Sequence, residues 1–130
     1  MKRFYNAIFT KQDTGYMVEF LDVPNAFTEG ETIEEAYEMA FDVLGIMLQN
    51  DKGTFDYPKY TTDPHTIELT KDQFIAIVAF DEMEYLKKHG NKAVNKTITL
   101  PQWLNTMAQT AGINFSQTLQ RALKAELGIE

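Results

Sequence analysis

The chain contains no cysteine, so no disulfide staples it and no thiolate can hold a metal. That absence fits a reducing cytoplasm, which is the expected location. No stretch approaches the roughly 18 consecutive apolar residues that a membrane-spanning helix needs. The first residues, MKRFYNAIFTKQD, are basic and then apolar only briefly. Asn6 interrupts them and no small-residue cleavage site follows, so a secretory signal is not expected. Of the 2 histidines, His65 falls in a loop and His89 in a polar stretch. A Gly-rich phosphate loop and a His/Cys cluster are both missing. Asp13, Asp22, Glu35, Asp42 and Asp81 are carboxylates, but their spacing does not gather them on metals about 4 Å apart. No catalytic residue, metal or cofactor is assigned, and the chain reads as a non-enzyme.

What is present is a chain of 130 residues, 44% hydrophobic and 24% charged. That is the composition of a folded protein with one ordinary domain or two small ones. Its charge is divided unevenly. Residues 1–90 carry 8 Lys/Arg against 17 Asp/Glu, or −9, whereas residues 91–130 carry 4 against 2, or +2. The acidic body suits a basic partner, and the mildly basic tail can approach phosphates.

The body, residues 1–80, reads as an α+β layer in the order β-β-β-α-β. Residues 4–9 and 16–21 form two strands joined across Asp13-Thr14-Gly15 as a hairpin. A short third strand at 26–28 ends near Gly30. Thr32 with Glu35 three residues later is a capping box that starts a helix. Ile33, Ala36, Tyr37, Ala40, Phe41, Leu44 and Met47, with Leu48, recur at helical spacing and would pack on the sheet. Residues 54–65 form a loop bounded by Pro58 and Pro64, and Thr66–Leu69 is extended. The run Phe74–Phe80 is apolar on both faces and is expected inside the sheet. Residues 81–93 are polar and read as a hinge between two domains.

The tail, residues 94–130, reads as strand, helix, helix. It is too short to bury its own apolar faces alone, so a second copy is expected to complete it. Along 94–100, Ile98 and Leu100 share one face, and Asn95, Thr97 and Thr99 the other. Pairing two such strands gives a ribbon that fits the DNA major groove. Asn and Thr there can read base edges, and Lys96 at the strand end can turn toward a phosphate. An ordinary half-exposed edge strand would show the same polarity. Pro101 suits a helix start. Leu104, Met107 and Ala108 then form one apolar stripe, and Leu119 and Leu123 lie on the second; together with Ile98 and Leu100 these are the expected dimer core. Trp103 stands one residue off its stripe and reads as a packing or interdomain residue rather than a DNA contact. Gly112 breaks the helices and Asn114 caps the second. The N–H groups that follow it, around Phe115 and Ser116, can hold a phosphate.

In the spacing of Pro101, Gly112, Asn114, Ser116 and Leu119, the tail resembles the ribbon-helix-helix family of bacterial repressors. That resemblance implies base reading by Asn95, Thr97 and Thr99, and a phosphate clamp at Asn114, Phe115 and Ser116. The body has Gly15-Tyr16, Asp22-Val23-Pro24 and Gly30-Glu31-Thr32-Ile33-Glu34-Glu35-Ala36 followed by an apolar strand. It resembles the HicB antitoxins, which join such a body to such a tail. Leu21 departs from a common proline, and Asn25-Ala26 from a usual Gly-Cys pair. The resemblance implies a partial ribonuclease-H-like body that binds and neutralises HicA, a small basic mRNA-cleaving toxin, and a tail that represses the operon as a homodimer on operator DNA. Tyr16, Asp22, Glu29 and Glu31 are the toxin contacts expected from position and charge. A ribbon-helix-helix repressor with a ligand-sensing body is the alternative. A module whose tail only dimerises is a third.

Overall fold

The computed structural model describes residues 2–129; Met1 and Glu130, at the ends of the two expected domains, lie outside the described residues. The chain forms two compact units, Met1–Lys92 and Ala93–Glu130.

Unit 1 is built on a four-stranded antiparallel sheet ordered β3-β2-β1-β4, with β1 Lys2–Lys11, β2 Tyr16–Phe20, β3 Phe27–Gly30 and β4 Gln73–Asp81. The β1-β2 hairpin closes through the Gln12 N–H donating to the Gly15 carbonyl at 3.0 Å. Gly15 takes φ +84, and a Cβ there would strike the Gly30 carbonyl oxygen. β1 and β2 are the inner strands, and in β1 Tyr5 through Phe9 are buried without interruption. β4 is an edge strand. This corrects the expectation that Phe74–Phe80 lies inside the sheet. Apolar character on both faces of a strand reports what covers the faces, not how many strands flank it. Val78 and Phe80 are buried, while Ile77 on the opposite face is 55% exposed.

Helix α1, Ile33–Leu48, starts as the capping box requires, the Glu35 N–H donating to Thr32 Oγ1 at 3.0 Å. It covers one face of the sheet. Tyr37 stacks on Phe9 with centroids 6.5 Å apart, and Phe41 lies 5.5 Å from Phe80. Ala36, Ala40, Leu44 and Leu48 are buried; Tyr37 packs on the sheet with part of its ring in solvent, and Ile33 and Met47 at the stripe's margins are 46% and 39% exposed. Small residues draw the helix close. At Gly30 an added Cβ would run into the backbone of Ala36. Gly30→Ala is expected to cost about 1–3 kcal/mol through forced displacement of α1. An unchanged urea midpoint would contradict this packing.

Residues 82–89, expected within the hinge, form helix α2, Glu82–His89. Asp81 caps it by accepting from the Met83 N–H at 2.8 Å. Tyr85 is buried flat against α1, where a side chain on Gly45 would collide with its ring. Lys88 and His89 reach Asp42 of α1 at 2.9 and 3.0 Å. Burial pushes the Asp42 carboxyl up, but the hydrogen bonds from Lys88 and His89 outweigh it and hold the group below its ordinary value. The helix escapes a pattern reading because Tyr85 is its only buried residue.

The connection from α1 to β4 forms a second cover. Phe55 and Tyr57 sit at the Arg3 end of the sheet: Phe55 lies 5.6 Å from Phe80, and the Arg3 guanidinium 3.6 Å from the Tyr57 ring centroid. β4 starts opposite Thr10. The chain must therefore return about 23 Å along the strand direction. It does so over the face away from α1, where Thr62 meets Asn6. A short 3-10 turn, Pro64–Thr66, takes in Thr66; Ile67 after it is extended, and no strand forms at 67–69.

Unit 2 contains α3, Gln102–Thr110, and α4, Phe115–Leu127. Pro101 stands just ahead of α3, and Gly112 between the helices takes φ +70. Asn114 caps α4, its side-chain oxygen accepting from the Gln117 N–H at 3.1 Å. Gly128 ends it in the left-handed conformation, at φ 72. Residues 94–100 make no ladder within the single chain. A strand is defined by a ladder, and no other described segment pairs with this one. Among the described residues of unit 2 none is buried.

Candidate functional site

The four residues expected to meet a toxin divide between two places in unit 1. Glu29 and Glu31 are exposed at the end of β3. With Thr14, Gly30 and Glu35 they line an open hollow of about 420 Å³. Tyr16 pairs with Gly30 across the β2-β3 ladder, but its ring is half-buried and meets Phe74 edge-on at 6.2 Å. Glu35 joins this group although the sequence assigned it to helix capping alone. Its N–H donates to the Thr32 cap of α1, and the residue also lines the hollow.

Asp22 stands apart. It follows β2 at the opposite strand end and is half-buried. Both carboxylate oxygens are engaged by one residue of the strap over the sheet. The Thr62 N–H donates to Oδ2 at 2.8 Å and the Thr62 hydroxyl to Oδ1 at 2.5 Å. The Thr62 carbonyl accepts from Asn6 Nδ2 at 2.6 Å. Asn6 is 7% exposed in the middle of an apolar strand, so a buried amide there requires a partner. That polar residue was the only sequence signal of the latch, and it did not name Thr62. A second anchor holds the strap five residues earlier, where Tyr57 donates to Glu82 Oε1 at 2.5 Å. Burial first, and then the Glu82 carboxylate, push the Tyr57 phenol well above its ordinary value, with Arg3 opposing.

In unit 2, Asn95, Lys96, Thr97 and Thr99 are all exposed. Asn114 spends its side chain on the cap, and Ser116 accepts from Gln120 Nε2 at 3.1 Å. The backbone N–H groups of Phe115 and Ser116 point out of the α4 N-terminus, where the helix dipole favours an anion. The expected dimer-core residues do not come together into a core. Ala108 and Leu119 are half-buried, and Ile98, Leu100, Leu104, Met107 and Leu123 are exposed. Trp103 is 65% exposed in the single chain. A short unit with so much uncovered apolar surface lacks the burial that orders a chain.

Among the described residues, no group of three or more His, Asp or Glu converges as a metal would require, and no helix is long and apolar enough to cross a membrane.

No protein-family model matches the chain. Among curated proteins, it is 60% identical over 30 residues to the antitoxin HicB of two Escherichia coli strains, covering 23% of this chain and 22% of theirs. It is 54% identical over 33 residues to the antitoxin HicB 1 of Photorhabdus laumondii, covering 25% and 21%. The matched segments thus span about a fifth of those relatives. Among solved structures, a chain of a toxin–antitoxin complex from Streptococcus pneumoniae superposes with a TM-score of 0.58 at 28% identity, covering 97% of this chain and 99% of that one. Local identity and whole-chain fold agree, and together they relate this chain to the HicB-type antitoxins.

Proposed function

We propose that the chain is an antitoxin that binds and neutralises a HicA-like mRNA-cleaving toxin through unit 1, and represses its own operon by binding operator DNA through unit 2. The observation that carries the reading is the superposition along 97% of the chain on a component of a toxin–antitoxin complex. The acidity of the body supports it, since a toxin that holds RNA must present positive charge.

In this reading unit 1 is a partial ribonuclease-H-like layer. Tyr16, Glu29, Glu31 and Asp22 face the toxin from the two ends of β2. Unit 2 is a ribbon-helix-helix module completed by a second copy. Residues 94–100 of the two copies pair antiparallel and supply the ladder that one chain lacks. Ile98 and Leu100 turn inward onto Leu104, Met107, Ala108, Leu119 and Leu123. Asn95, Thr97 and Thr99 face the major groove, Lys96 lies beside a phosphate, and Asn114, Phe115 and Ser116 clamp another.

The DNA half is tested by titrating an operator fragment from upstream of the gene at several salt concentrations. Replacing Asn95 and Thr97 together with alanine is expected to weaken specific binding by about 2–5 kcal/mol, since each base contact is worth about 1–3 kcal/mol. Toxin binding is expected to persist. Affinity of the unaltered protein falls linearly with salt on a log–log scale. A salt-independent interaction, or equal loss of DNA and toxin binding in the double variant, would refute the division of labour.

A further inference from the structure

Thr62 is held by every polar group it has. Its N–H and hydroxyl take the two oxygens of Asp22, and its carbonyl takes the Asn6 amide. These bonds join residues 40 and 56 positions apart and fasten the strap across the face opposite α1. The Asp22 carboxylate is accordingly committed in the free chain. An arginine that grips a carboxylate in two parallel bonds needs the same two oxygens. Resting on the antitoxin reading above, we propose that docking of a basic partner on Asp22 and release of the strap at Thr62 are one coupled event: the carboxylate serves Thr62 in the free protein and a partner guanidinium in the complex.

The chemistry on both sides of the exchange is matched. Thr62 presents two donors to a carboxylate fork, as a guanidinium does. The exchange leaves no charge buried and unpaired. The Thr62 N–H and hydroxyl move into water, and the Asn6 amide gives up its acceptor with them. Ile8, two residues along β1 from Asn6 and so on the same face, is also buried in the free chain.

Linkage fixes the signs. If the partner binds only the released form, any change that loosens the latch without touching Asp22 must tighten partner binding, up to the factor by which the latch is loosened. Thr62→Val removes the hydroxyl bond and keeps the carboxylate. Asp22→Asn loosens the latch and also removes the charge that the partner needs. The two variants should therefore move partner affinity in opposite directions, although both free the strap.

The test uses the full chain and, as probe, the cognate HicA-type toxin with its catalytic histidine replaced. Hydrogen exchange is followed at the strap amides, and toxin affinity is measured for the unaltered protein, Thr62→Val, Asp22→Asn and the conservative Thr62→Ser. In the free chain, exchange around Thr62 should rise about tenfold in Thr62→Val and more in Asp22→Asn, with Thr62→Ser near the unaltered rate. Toxin binding should speed strap exchange in the unaltered protein. Thr62→Val should bind toxin about three- to tenfold more tightly and Asp22→Asn at least tenfold more weakly. Strap exchange that slows or holds steady on binding overturns the coupling, as do variants that shift affinity in the same direction. If the free-chain exchange responds as expected but no variant binds toxin, the antitoxin reading fails, and this inference with it.

Discussion

Leu119→Asp is expected to leave unit 1 folded, convert the protein from dimer to monomer at micromolar concentration and abolish operator binding. Leu119 lies on the α4 stripe with Ala122, Leu123 and Leu127, and in the single chain it is half-buried while Leu127 is 71% exposed. Among the described residues of unit 2 none buries that stripe, so the proposed dimer must. Burying an unpaired carboxylate costs several kcal/mol, which corresponds to about a hundredfold or more in dimer dissociation. DNA binding should fall with it, since the proposed base-reading ribbon takes one strand from each copy. Analytical ultracentrifugation with operator titration reads both effects. A dimeric variant that still binds DNA would contradict the paired-tail arrangement.

Phe80→Ala is expected to give the largest loss of stability in unit 1. Phe80 is 0% exposed, and its ring centroid lies 5.5 Å from Phe41, 5.6 Å from Phe55 and 5.8 Å from Tyr85. These partners belong to α1, the strap and α2, so one side chain ties three covering elements to β4. Truncating a buried phenylalanine costs about 3–5 kcal/mol, mostly because the cavity refills poorly. Domains of this kind hold about 5–15 kcal/mol in all. Unit 1 should therefore melt or populate open forms near physiological temperature. Toxin binding should weaken while operator binding persists. A urea-derived loss below about 1 kcal/mol would show that the cluster repacks and that Phe80 is not its centre.

The parts of this fold legible in the sequence are those set by local chemistry. Thr32 and Glu35 announced α1, Asp13-Thr14-Gly15 the hairpin, and Asn114 the start of α4. Elements held by distant partners were harder to read. α2 is mostly charged, and it is positioned by Tyr85 against Gly45 and by Lys88 against Asp42 rather than by an apolar stripe. The edge position of β4 is invisible to a hydropathy pattern, because side chains report coverage and not hydrogen-bonding neighbours. Residues 94–100 carry strand alternation without a strand, since their ladder needs a second chain in the proposed dimer.

The candidate site follows the same division. Exposed residues whose role is read from charge, such as Glu29 and Glu31, fall together on one hollow. Asp22 was singled out for its charge, yet its position depends on Thr62, 40 residues away. Asn6 broke an apolar strand and so signalled a buried hydrogen bond, but only the fold supplies its acceptor.

The most direct measurement is cleavage of a defined mRNA by the cognate HicA-type toxin, with and without an equimolar amount of this chain, after the two are co-expressed and purified. The account predicts a stable complex and cleavage suppressed to background. Cleavage at the full rate, with no complex formed, would contradict it.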